Sequence, residues 1–289
     1  MVMPRRPRHW VGYGALVVAA SLWALIGVYT RQLADQGIDA LSVAAWRALL
    51  GGACFVVHAA VIRSDKPDIR RSDVAQLALF TVVGVTLFFA ALPLAIEAGD
   101  ITVAYVLLYT APAWVTLGAR LFFGDKITPL QLGLVAMTVA GAALVSTGGA
   151  SVQPSAAAIT WGLIAGLSYS SYYLVGRQLF DRMGAVWVFA IVLPLGAIPL
   201  LVLARPSWPT LSAWLLLAGL AIGSTWAPYV ALSVGLKSVP APRAVIVATL
   251  EPVIAALIAA SFYDERLAAV SWVGAVLILA AATTSALRR

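Results

Sequence analysis

Cysteine is almost missing: Cys54 is the single one in 289 residues, and it lies inside an apolar run. That excludes a disulfide framework and a cysteine metal cluster. Histidine is nearly as scarce, and His9 and His58 are too few for a histidine-based metal centre. Charged residues make up 11% of the chain, against roughly 25% in ordinary soluble proteins. No Walker A lysine loop is present, which excludes a P-loop ATPase. No cluster of His, Asp and Glu suggests a membrane hydrolase. No cofactor and no metal are expected, and the chain is not expected to be an enzyme.

What is abundant is hydrophobic sequence, at 62% of residues. It falls in long runs, and runs of about 17–25 apolar residues cross a bilayer as helices. Ten spans are expected, at about 13–30, 40–62, 74–95, 101–119, 129–147, 157–176, 185–204, 210–234, 243–262 and 269–286. Arg5, Arg6 and Arg8 ahead of the first run superficially resemble a signal peptide. Cleavage there would destroy the repeat described below, so an uncleaved first helix is expected.

The net charge of +7 does not point to nucleic acid, because the basic residues sit in short loops between spans. With the N-terminus inside, fifteen of the nineteen Lys and Arg residues are internal, only Arg31, Arg205 and Arg266 are external, and Arg47 lies within a span. Positive charge concentrates on the cytoplasmic side. Both termini are therefore expected in the cytoplasm, in a multi-pass inner-membrane protein. The Gly-, Ser- and Pro-rich stretch at the chain's centre reads as a linker. The expected division is residues 1–148 as a first five-helix repeat, 149–156 as an external linker and 157–289 as a second repeat.

The duplication is visible in the residues. Pro112 matches Pro252 at a shift of 140, and the charged turns Asp125-Lys126 and Glu265-Arg266 match at the same shift. Arg31-Gln32-Leu33-Ala34-Asp35 is echoed by Arg177-Gln178-Leu179-Phe180-Asp181 at a shift of 146. Five spans per half is odd, so the halves must lie in the membrane in opposite orientation. Such inverted repeats place a substrate site between the halves near the midplane.

Spans four and nine each carry a mid-helix proline, an acidic-basic turn and then a glycine-containing helix (Gly133 and Gly141; Gly274). Span one has Leu22-Trp23-Ala24 and span two Trp46-Arg47-Ala48. Over about residues 13–286 this set resembles the EamA-type branch of the drug/metabolite transporter superfamily, nearest to the aromatic amino-acid exporters. The resemblance implies an all-α membrane protein, with ten transmembrane helices in two inverted five-helix repeats around a central cavity. It also implies export of small metabolites.

Glu251 is the one acidic residue deep in a span, followed at once by Pro252. An intramembrane carboxylate is expensive and by default functional. Ala244, Ala248 and Ala255 fall within about 60° of it on a helical wheel. It suits a substrate ammonium or a proton; the bland alternative is a structural pair with Arg47 or a tyrosine hydroxyl. Arg47 suits a substrate carboxylate or an internal scaffold bond. Trp23, Tyr105, Tyr109, Ser168, Tyr169, Tyr172, Thr225, Trp226 and Tyr229 complete the candidate substrate-binding set. Each is too polar or too central to face lipid, whereas Tyr13 and Tyr263 suit the aromatic belt at the membrane edges. Pro112 and Pro252 remove backbone donors. They read either as fixed bends or as hinges.

The leading expectation is a secondary transporter that exports small amphipathic metabolites, aromatic or other neutral amino acids above all, by alternating access. Export of cationic drugs is the second reading, and a membrane-embedded enzyme acting on lipids the third. The expected partners are a small-molecule substrate and the lipid bilayer. Proton coupling is left open, and the chain is expected to act as a monomer.

Overall fold

A computed structural model describes residues 9–62, 67–99, 101–148, 155–262 and 267–287. Residues 149–154 of the expected 149–156 linker, the Asp264-Glu265-Arg266 turn, Tyr263 and the terminal arginines lie outside them. Ten helical rods follow one another: α1 (His9–Ala34), α2 (Ala40–Val61), α3 (Arg71–Glu97), α4 (Ile101–Phe123), α5 (Pro129–Thr147), α7 (Ala185–Ala204), α8 (Leu211–Leu236), α9 (Ala241–Phe262) and α10 (Ala269–Leu287). Between α5 and α7, α6 runs through Ala156–Ser171, Tyr172–Gly176 and Arg177–Met183 without a break. Among the described residues nine rods are long and apolar enough to cross a membrane. The rod outside that set is α6, whose middle reads Ser-Tyr-Ser-Ser-Tyr-Tyr from Ser168.

Short connections work because polar side chains close the helix ends. Asp39 caps α2 by accepting from the Ser42 N–H at 2.9 Å. Thr128, Ser155 and Thr210 cap α5, α6 and α8 in the same way. Such caps satisfy donors that a helix start otherwise leaves bare. The outer faces stay apolar: Val57, Phe122, Val202 and Leu215 are all more than 60% exposed. Hydrocarbon is the solvent that suits such a surface.

The packing is two-fold. The closest long-range pairs are α2 with α7 and α5 with α10; α1 packs on α8 and α9, as α6 packs on α3 and α4. Exchanging the first five helices for the second five maps this set onto itself. The paired helices run antiparallel: Gly51 and Gly52 of α2 meet Leu193 and Pro194 of α7, while Phe55 meets Phe189. Likewise Gly141 faces Gly274 and Gly148 faces Ser271. Equivalent helices of the two halves therefore point in opposite directions. At the α5–α10 crossing a methyl group on Gly141 would lie 2.7 Å from the Gly274 carbonyl oxygen, and the reverse contact is as tight. Only glycine lets backbones approach so closely.

The helices are also interrupted at matching places. In α4 the rod breaks at Tyr109–Thr110, just before Pro112; in α9 it breaks at Thr249–Leu250, just before Pro252. A proline cannot supply its N–H to the preceding turn, and at each break a threonine hydroxyl bonds back into that turn. Thr110 Oγ1 donates to the Leu107 carbonyl at 2.6 Å, and Thr249 Oγ1 to the Val245 carbonyl at 2.9 Å. The equivalent helices α3 and α8 both carry π-helical segments, Phe80–Leu87 and Ile222–Trp226. A further π segment, Tyr172–Gly176, lies in α6, and α1 is broken at Leu25.

Candidate functional site

The bundle has a linker end, where α5 stops and α6 begins, and a terminal end, where α1 begins and α10 stops. A cavity of about 610 Å³ enters from the linker end. Its mouth is formed by Arg31 and Ala34 of α1, Ile96 of α3, Ile101 and Thr102 of α4, Ser146 of α5 and Ala259 of α9. Deeper, Tyr105 and Tyr109 form one wall, Glu251, Pro252 and Ala255 face them, and Trp23 lies at the floor. Tyr105 and Tyr109, one helical turn apart, stack with ring centroids 6.1 Å apart. Small side chains opposite, Ala255, Ala256 and Ala259, leave the space open.

The breaks in α4 and α9 sit at the depth of this floor. Glu251 is the first residue of the second segment of α9, immediately after the break. No described side chain hydrogen-bonds or ion-pairs with its carboxylate. A side pocket of about 80 Å³ shares Ile26, Thr30, Ile96 and Tyr105 with the main cavity and reaches Arg47, Phe88 and Phe89. The Arg47 guanidinium stands 5.0 Å from the Phe89 ring centroid. Its Nε donates to Thr225 Oγ1 at 2.9 Å and its Nη2 to the Ser224 carbonyl at 3.1 Å. Both bonds leave from one edge of the guanidinium and tie α2 to the π segment of α8.

Beneath Trp23 the bundle is filled with rings. Trp23 meets Tyr169 and Tyr229 edge-on, at 6.1 and 5.9 Å. Tyr229 stacks on Phe189 at 4.6 Å, nearly parallel, and Phe80 packs edge-on against Tyr172. The Tyr229 hydroxyl donates to the Tyr172 hydroxyl at 3.0 Å, which donates to the Gly84 carbonyl at 2.6 Å. Tyr169 and Tyr173 share a hydroxyl pair at 3.0 Å. The Gly84 oxygen comes from the π segment of α3. Closer to the terminal end, the buried Asp73 of α3 forms an ion pair with Arg182 of α6.

Of the residues singled out from sequence, Trp23, Tyr105, Tyr109 and Glu251 therefore line the cavity, and Pro252 does too. Tyr169, Tyr172 and Tyr229 lie in the packed layer below, and Ser168 is buried beside them. Thr225 holds Arg47, and Trp226 donates to His58 Nδ1 of α2 at 3.1 Å. Pro112 is buried behind the break in α4. Tyr13 is not a belt residue: it is 5% exposed, and its hydroxyl donates to the Ser285 carbonyl at 2.9 Å. Sequence reasoning did not single out Thr30, Arg31, Thr102 or Ser146 at the cavity wall, nor Phe80, Phe88 and Phe189 in the packed layer. The polar four stand near helix ends, where hydroxyls and charges are commonplace. Nor did it find the Asp73–Arg182 pair, because both residues read as ordinary helix-end charges.

Ten helices from two inverted halves, hollowed from the linker end and floored at broken helices, define a membrane transporter. The chain belongs to the EamA-like transporter family, whose pattern matches it twice, over residues 10–147 and 156–287. Membership makes it a transporter and not an enzyme. It is similar to an uncharacterized transporter of Archaeoglobus fulgidus, 28% identical over 93% of this chain and 94% of that one. It is also similar to the uncharacterized transporter YwfM of Bacillus subtilis, 26% identical over 91% and 90% of the two chains. A third relative is the uncharacterized inner membrane transporter YicL of Salmonella typhimurium, 24% identical over 91% of each. A solved crystal structure shares the fold at a TM-score of 0.80 and 17% identity, covering 95% of this chain and 96% of its own.

Proposed function

We propose that the protein exports small amphipathic metabolites, with aromatic and other neutral amino acids as the substrate class. The observation that carries this reading is a cavity walled by Trp23, Tyr105 and Tyr109 that holds the Glu251 carboxylate without a hydrogen-bond partner among the described residues. Ring faces and edges suit a flat apolar side chain, and a carboxylate beside them suits an ammonium. The Arg47 side pocket opens from the same wall and offers the remaining guanidinium edge to a substrate carboxylate. Because Arg47 is already bound to α8 and Glu251 is not, export of organic cations is the competing reading.

The basic loops favour cytoplasmic termini in an inner membrane and an external linker between the repeats at 1–148 and 157–289. On that orientation the cavity faces outward. Pro112 and Pro252 then act as hinges for alternating access, Glu251 exchanges a proton with the outer phase, and the chain works as a monomer. An impermeant thiol reagent should label Ser151→Cys in intact cells; labelling only after permeabilisation reverses the orientation.

Purified protein in proteoliposomes, tested against a panel of amino acids and organic cations, decides the substrate class. Competition by phenylalanine, tyrosine or tryptophan is the expected result, and competition by cations alone favours the second reading. Glu251→Gln keeps the shape and removes the charge. It should abolish most transport while leaving expression and insertion intact. Normal transport by that variant at every pH would remove Glu251 from the site.

A further inference from the structure

At the terminal end, away from the cavity, a second pocket of about 250 Å³ opens between the start of α5, the start of α9 and the last turn of α10. Two helix N-termini border it: Thr128 and Gln131 from α5, Pro240 and Arg243 from α9. Helix starts carry partial positive charge and spare backbone donors. Lys126 adds an ammonium at the rim. From α10, Ser285 lines the same pocket; it is 2% exposed, and its hydroxyl has no hydrogen-bond partner. A buried hydroxyl left unpaired is costly, so its place in a pocket between two helix starts points to a ligand oxygen.

We propose that this pocket binds a phosphate ester, with the phosphodiester of an anionic membrane lipid as the better-matched source. Asp125 also lines it, an acid beside Lys126 that suits a singly charged phosphodiester better than a free phosphate dianion. Leu130, Leu134 and Ile246 complete the wall and give the first carbons of a lipid an apolar seat. The pocket also spans the two halves, since α5 belongs to the first and α9 and α10 to the second. A bound headgroup would cross-link them where the Tyr13–Ser285 bond already joins α1 to α10.

The test uses the full-length protein in nanodiscs of phosphatidylcholine, with and without phosphatidylglycerol, and in detergent with inorganic phosphate. The melting temperature is followed as a function of added ligand. Phosphatidylglycerol should raise Tm in the unaltered protein. Lys126→Gln should weaken the apparent affinity roughly fivefold, the worth of one basic residue at a membrane surface. Ser285→Ala should also weaken it while leaving the ligand-free Tm unchanged or higher, a combination that a packing role for Ser285 does not give. Lys237→Gln, a basic residue outside the pocket, should behave like the unaltered protein. The same variant pattern with inorganic phosphate alone would keep the site and assign it to a soluble phosphate. A phosphatidylglycerol shift that is unchanged in both pocket variants, lost equally in Lys237→Gln, or absent altogether overturns the proposal.

Discussion

The bundle is built from one repeated unit, yet above Trp23 its centre is hollow and below Trp23 it is filled. At the linker end, Trp23, Tyr105, Tyr109 and Glu251 surround an empty volume. Below Trp23, Tyr172, Tyr229, Phe80 and Phe189 pack ring on ring, and Asp73 pairs with Arg182. Aromatic content does not separate the regions, because both are rich in tyrosine. What separates them is the opposing surface. Tyr105 and Tyr109 look across at alanines of α9, whereas Tyr172 and Tyr229 look at each other and at phenylalanines. An aromatic wall becomes a binding site only where its partner helix presents small residues.

The contrast can be broken most severely from the filled side. Phe189→Ala removes a fully buried ring from the stack and should cost about 3–5 kcal/mol, read as a large fall in thermal stability. Tyr105→Ala, on the hollow side, should leave stability nearly unchanged in the same assay. Equal losses would mean that the cavity is as tightly packed as its floor.

A smaller effect is expected at the ion pair. Arg182→Gln leaves the buried Asp73 carboxylate without its cation, at a cost of about 1–3 kcal/mol. If that pair helps hold the terminal end shut, a cysteine placed at Ser168 should react faster with a thiol reagent in the variant than in the parent. An unchanged rate would confine the pair to a structural role. The smallest effect is sought within the cavity itself. Tyr109→Ala should lower apparent substrate affinity several-fold, equivalent to about 0.5–1.5 kcal/mol of stacking. Tyr229→Ala should instead act mainly on folding. A Tyr229→Ala protein that folds normally but loses affinity would move the site down into the packed layer.

Much of the architecture could be read from the sequence, because its signals are local. Apolar runs mark the ten helices, and a proline at a fixed shift marks each break in α4 and α9. The family resemblance was equally legible, although the narrower aromatic amino-acid branch finds no support among the relatives described. The site was legible only in part. Glu251 and the Tyr105–Tyr109 stripe stand out on an ideal helical wheel, but α8 is not an ideal helix. Thr225 Oγ1 bonds the carbonyl five residues back, at Leu220. A π segment inserts an extra residue in the turn, which rotates every later side chain by about 100°. Thr225 and Trp226 thus turn towards α2, and Tyr229 turns into the packed layer. Nothing in the local sequence announces that rotation. The burial of Asp73 was illegible for a different reason: its partner lies on another helix in the other half.

The glycine crossing of α5 and α10 carries a record of descent. At the repeat's shift of 140, Gly141 corresponds to Ala281 and Gly274 to Leu134. In an ancestor assembled from two separate identical chains, both contacts about the axis had to be the same. Once the copies were joined, each contact became free to drift. One now sets bare backbone against backbone, and the other carries Leu134 and Ala281, both part of one buried cluster. Gene fusion therefore did more than tether two subunits: it released this protein from the obligation to be symmetric, and a solitary carboxylate such as Glu251, opposite only Ala111 in the other copy, is an innovation that an obligate homodimer could not have made.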